Sequence, residues 1–182
     1  MIYFTADNHF GHKNIISLCN RPWETVAKMD EAMIALWNER VRPTDTVFIL
    51  GDLFFRAKNV ESTLARLKGR KRLIVGNHDG PWMKELDPER YFESVDRYLE
   101  VSDGQHGLVL CHYPLLSWNH PTRTYMIYGH IHADTDLDFC PLIRARDRML
   151  NAGADLNGYR PVTFAELLAN NERFKVEHSA KT

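Results

Sequence analysis

Thiol chemistry is nearly missing from this sequence. Its 182 residues include three cysteines, Cys19, Cys111 and Cys140, an odd number with no CxxC spacing. That count argues against a disulfide framework and a Cys-rich structural zinc site, and a reducing, cytoplasmic setting is expected. Long apolar runs are missing too. None approaches the roughly 18 residues that span a bilayer, so no membrane association is expected. The opening MIYFTADNHF has no basic stretch followed by an apolar one, and no signal peptide is expected. Charge of one sign is also lacking. With 23 Lys+Arg against 24 Asp+Glu, the chain has no global positive field of the kind a dedicated duplex binder carries. Repeats, low-complexity tracts and linkers are absent, and residues 1–182 are expected to form one domain. What remains is ordinary globular composition, 44% hydrophobic and 26% charged. A chain of this size buries about 70% of its unfolded surface, enough to fold without staples. Histidine alone is abundant, at nine copies.

Short β-rich apolar runs alternate with helical periodicity in the first half. Residues 2–6 (IYFTA), 46–50 (TVFIL) and 73–75 read as strands. Val26, Met29, Met33, Leu36, Trp37 and Val41 recur at helical steps, with a break conceivable at Asp30. A short helix is expected at 60–67. The second half reads as strands at 97–101, 107–111, 124–128 and 148–151, separated by turn signals that suggest hairpins or a meander. Residues 133–147 look like an irregular loop, and a last short helix over 163–169 is expected, capped by Thr163 with Glu166. The expected class is α/β (α+β), with layered sheets and helices outside.

The informative pattern lies just past the end of each strand. IYFTA runs into Asp7-Asn8-His9, TVFIL into Gly51-Asp52, and RLIV into Gly76-Asn77-His78-Asp79. GLVL runs into Cys111-His112, and TYMIY into Gly129-His130-Ile131-His132. Ligands in open α/β sheets gather at the carboxyl ends of strands, so adjacent strands would merge these motifs into one polar cluster. Asp7, His9, Asp52, Asn77, His112, His130 and His132 are oxygen or imidazole donors, too many for one ion. Two divalent cations about 3.5–4 Å apart, sharing a carboxylate, would use them all. The donor set suits Mn²⁺, Fe, Zn²⁺ or Ni²⁺ and does not choose among them.

In this order the motifs resemble the calcineurin-like metallophosphoesterase superfamily, and most of all its small single-domain bacterial and phage members. The resemblance implies a four-layer β-sandwich flanked by helices. It also implies that Asp7, His9, Asp52 and His132 hold one metal, and that Asp52 bridges to a second held by Asn77, His112 and His130. His78 would stand beside the scissile phosphate as a general acid, with Asp79 as its orienting partner. No motif position is substituted, which sets the chain apart from scaffold members of the superfamily.

The expected activity is hydrolysis of phosphomonoesters or phosphodiesters by a hydroxide bridging the two metals. A nuclease or nucleic-acid end-processing role is the alternative, and a non-catalytic scaffold a more distant one. The expected partner is a small phosphate-ester substrate; charge does not point to nucleic acid. His12, Asn14, Arg21 and Arg56 are candidate substrate contacts, with His12 and Asn14 favoured by nearness to the metal motif. Trp118 and Cys111 are expected in the core, while Phe54-Phe55 could be pocket wall, core or dimer contact. Oligomeric state and the role of 133–147 stay open.

Overall fold

The computed structural model describes residues 1–179. Its strands form two four-stranded sheets. In the first, β1 (Ile2–Thr5), β2 (Thr46–Ile49), β3 (Arg70–Ile74) and β4 (Phe92–Asp96) lie side by side in that order, all parallel. The crossovers carry α1 (Ile15–Leu18), α2 (Val26–Arg40), α3 (Val60–Arg66) and α4 (Asp79–Met83). In the second sheet, β5 (Tyr98–Ser102), β6 (Gly107–Cys111), β7 (Thr124–Tyr128) and β8 (Met149–Asn151) follow in order. Only β5 and β6 are antiparallel there; β6, β7 and β8 run parallel.

The period-2 alternation of strand side chains decides the layering. Tyr3, Val47, Ile49 and Leu73 face outward onto Met29, Met33, Trp37 and Leu64 of the helices. Their neighbours Phe4, Phe48 and Ile74 face inward and meet Leu108, Leu110, Ile127 and Leu150 between the sheets. On the far side, Val109, Met126 and Met149 pack with Trp118, Ile143 of α5 (Cys140–Arg144) and Phe139. Helices, sheet, sheet and helix give the four layers expected. Trp118 and Cys111 belong to this core, as anticipated.

Several boundaries differ from the sequence reading. The meander reduces to the β5–β6 hairpin, because the segments after β6 and β7 are long enough to return the chain for parallel pairing. Residues 133–147 contain α5 rather than pure loop. Strand β4 was not foreseen; its alternating burial in FESVD is that of a polar edge. Helix α2 passes through Asp30 unbroken, because that carboxylate leaves the helix to accept from Gly11 N–H at 3.1 and 3.2 Å. The capping pair is present, with Thr163 N–H on Glu166 Oε2 at 2.9 Å. Helix α6 (Phe164–Ser179) nevertheless runs well past 169. Asn171, a weak helix former, is retained there because its amide bonds Asn151 N–H and C=O at 2.7 and 3.0 Å, tying the helix to β8.

Among the described residues, no helix is long and apolar enough to cross a membrane. Because β1, β2, β3, β6 and β7 all pair in parallel within their sheets, their carboxyl ends gather at one edge. Ala6 N–H donates to Ala152 C=O at 2.9 Å, sewing the two sheets together beside that edge.

Candidate metal centre

The strand ends turn sharply into the edge. Asp7, His9, Asp52, His130 and His132 all have left-handed backbone, with φ of 54°, 54°, 53°, 73° and 51°. Each such residue costs on the order of 1–3 kcal/mol unless its surroundings hold it. Here they do: Asp7 N–H bonds Gly51 C=O at 3.0 Å, and His9 N–H bonds Asp52 C=O at 3.0 Å. His130 N–H donates to Asp7 Oδ2 at 2.9 Å, linking the ends of β1 and β7. Two glycines are required by space. A Cβ on Gly76 would strike Asp52 Oδ1, and one on Gly51 would strike His112 Nδ1.

Asp52 is the hub. Its Oδ2 lies 3.6 Å from His112 Nε2, 3.8 Å from His9 Nε2 and 3.9 Å from His78 Nε2. Its Oδ1 accepts from the backbone N–H of His78 at 2.9 Å. His112 Nδ1 donates to Leu50 C=O at 2.7 Å, which leaves Nε2 as the nitrogen able to offer a lone pair. That lone pair meets Asn77 Oδ1 at 2.9 Å, and His130 Nδ1 reaches the same oxygen at 3.0 Å. Two acceptors at such a distance fit a shared cation.

The other half of the cluster makes the same case. His9 is buried, and neither ring nitrogen has a hydrogen-bond partner. Burial, with His132 and Arg21 nearby, pushes its pKa down to about 2, so the ring is neutral and offers a lone pair. Asp7, fully buried, is pushed up to about 7 by desolvation, against the pull of His132 and His112. A buried carboxylate facing partnerless imidazole is costly alone and well matched to a divalent cation. Ligand atoms of Asp7, His9 and His132 lie within 4.8 Å of one another, as do those of Asp7, Asp52 and His112.

Two candidate residues have different work. Arg21 was expected to touch phosphate. It is 4% exposed, and its guanidinium is consumed inside the protein. It donates to Asp155 at 2.8 and 3.1 Å, to Asn8 C=O at 2.7 Å and to Asp7 C=O at 2.8 Å. Asp79 was expected to orient His78, but both its oxygens are engaged elsewhere. Oδ2 accepts from Asp52 and Gly76 N–H at 2.9 and 2.8 Å, Oδ1 from Leu53 N–H and Trp82 Nε1–H at 3.0 and 2.9 Å. Burial raises its pKa while those donors resist. Asp79 therefore ties the Asp52 and Gly76 turns together.

Asp155 was missed. Its Oδ2 accepts from His132 Nδ1 at 2.7 Å, leaving Nε2 as the ring's lone pair for a metal. Burial alone would lower the pKa of His132, but Asp155, Cys19 and Asp7 raise it to about 10, so a metal would bind Nε2 by displacing its proton. The strand-end rule applied to β8 would have pointed to Asp155, four residues past Asn151.

Beside His9 stands an aromatic rim. Phe55 lies 4.0 Å from the His12 ring and 4.8 Å from the His78 ring, centroid to centroid, so it packs against the histidine cluster, while Phe54 is core. His12 has a buried, partnerless Nδ1, and burial and His78 push its pKa down to about 4. Arg56 is exposed with its guanidinium 5.3 Å over Phe55, within reach of the rim. Asn14 is exposed at the start of α1, with no side-chain capping bond.

A two-sheet sandwich carrying such a His/Asp/Asn cluster at its edge is the arrangement of the phosphoesterase class that this chain's family model describes. The chain belongs to the calcineurin-like phosphoesterase family, whose family model matches residues 1–156 and so spans every proposed ligand. The uncharacterised protein MJ1445 of Methanocaldococcus jannaschii is 32% identical over 178 residues, covering 96% of this chain and 93% of that one. The Gene 66 protein of Mycobacterium phage L5 is 27% identical, covering 86% and 87%. Among solved structures, AQ665 of Aquifex aeolicus, described as of unknown function, superposes with a TM-score of 0.71 at 25% identity. It covers 91% of this chain and 96% of that one.

Proposed function

We propose that the protein hydrolyses small phosphomonoesters or phosphodiesters at a dinuclear centre. Asp7, His9, Asp52 and His132 would hold one divalent cation, and Asp52, Asn77, His112 and His130 the other. The single observation that supports this reading best is Asp52 Oδ2, which faces imidazoles of both ligand sets at 3.6–3.8 Å. Bound cations would supply an activated water and neutralise the phosphate oxygens. Mn²⁺ is the first choice for an oxygen-and-imidazole site, with Fe, Zn²⁺ and Ni²⁺ as competitors.

The chain's own groups would do the rest. His78 is 39% exposed at the mouth, with its backbone N–H on Asp52. From there it would donate a proton to the departing alkoxide. Phe55 limits how the His78 and His12 rings turn, and His12, neutral at pH 7, can hydrogen-bond a phosphate oxygen or its water. The test is a panel on chelator-stripped protein reloaded with Mn²⁺, with an aryl monoester, an aryl diester, a cyclic nucleotide and single-stranded DNA. Metal-dependent turnover of an aryl ester supports the proposal. Turnover of DNA alone would favour the nuclease role, and no turnover with both metals bound would favour a scaffold.

A further inference from the structure

His130 and His132 also form one wall of a cleft of about 700 Å³, a volume typical of sites for small organic ligands. The cleft therefore borders two of the proposed metal ligands. Its opposite walls come from the end of α1 and from the segment after β7. Leu18 and Leu137 stand 70% and 37% exposed there, beside the half-buried Cys19 and Phe139. Asp134 and Asp136 are the charged side chains on the same lining, which includes no lysine or arginine among the described residues. They share one turn, with Asp136 N–H on Asp134 Oδ1 at 2.8 Å.

This composition is unusual next to a centre built for anions. A site that accommodates several phosphates surrounds them with basic side chains, because each extra charge must be neutralised. Here the phosphate under attack would be neutralised by the metals, and the space beyond it offers a mixed polar and apolar lining whose carboxylates are Asp134 and Asp136. Building on the function proposed above, we infer that the cleft receives the organic substituent of a phosphate ester. That substituent is uncharged or cationic and carries no further phosphate. Nucleic-acid strands and nucleoside polyphosphates are disfavoured as substrates by like-charge repulsion from Asp134 and Asp136.

The test uses the full chain reloaded with Mn²⁺ and a matched pair of probes, thymidine 5′-(p-nitrophenyl phosphate) with and without a 3′-phosphate. The expected result is kcat/KM lower by roughly tenfold for the probe with the extra phosphate, the order of a partly screened like-charge contact. In the double variant Asp134→Lys/Asp136→Lys the ratio should approach one or reverse. Reading a ratio within each protein removes any effect of partial misfolding. An unpenalised 3′-phosphate, or a ratio unmoved by the double variant, overturns the cleft assignment. Methyl p-nitrophenyl phosphate, too small to need the cleft, reads the chemistry separately in the unsubstituted protein. If neither it nor p-nitrophenyl phosphate is hydrolysed, the proposed function fails and the cleft assignment falls with it.

Discussion

His132 Nδ1 lies 2.7 Å from Asp155 Oδ2, and the same carboxylate is gripped from its other side by Arg21 at 2.8 Å. The relay sets which nitrogen of His132 carries a proton and which is free for a metal. It reaches further, since Arg21 also holds the carbonyls of Asp7 and Asn8. One buried guanidinium thus holds both the turn that presents Asp7 and His9 and the carboxylate behind His132.

Asp155→Asn should keep the fold while weakening metal binding, on the order of 10- to 100-fold, the range seen when groups behind a ligand are removed. Titration of stripped protein with Mn²⁺ measures it. An unchanged affinity would mean that Asp155 does not govern His132.

His78→Ala should retain metal content and lose activity by about 10²–10³-fold on alkyl esters, whose leaving groups need a proton. The loss should shrink with aryl esters. Metal analysis with rates across a leaving-group series checks this, and an equal loss on all esters contradicts the acid role.

Asp79 carries a different expectation from the one its motif suggests. Removing a buried carboxylate that accepts four N–H bonds in Asp79→Ala should cost roughly 3–5 kcal/mol, read by denaturant unfolding. If it acts on the turns and not on His78, the milder Asp79→Asn should leave the pKa values of the pH–rate profile in place. A displaced acidic limb would restore the orienting role.

Stability should carry a pH signature from Asp30. Burial raises its pKa from 3.8 to about 6, opposed by Gly11 N–H, with Glu31 and Arg21 as the charged neighbours. The folded state therefore binds more protons than the unfolded one between those values. Stability is highest from this group below pH 4 and falls as pH rises toward 6. Asp30→Asn, which keeps an acceptor for Gly11, should remove that slope and gain on wild type as pH climbs through the window. Parallel curves in thermal melts from pH 4 to 7 would contradict it.

Much of this site was legible in the sequence because its signals are local. Asp7-x-His9, Gly51-Asp52 and Gly129-His130-x-His132 each sit within a few residues of an apolar strand, and parallel pairing gathers the ends. The capping pair Thr163–Glu166 was equally local. What escaped depends on partners far apart in the chain. Arg21 and Asp155 are separated by 134 positions, so a buried arginine looks like any surface cation until both are placed. Asp79 beside His78 suggested a pair, yet its bonds run to a turn 27 residues earlier. Strand β4 is polar because it is an edge, and edge position is a property of the sheet, not of FESVD.

The bridging role of Asp52 is tested most directly by the electron paramagnetic resonance spectrum of the chain reloaded with two equivalents of Mn²⁺. The account predicts an exchange-coupled dinuclear signal that Asp52→Asn abolishes. A wild-type spectrum of isolated Mn²⁺ ions, or a coupled signal that survives the substitution, would contradict it.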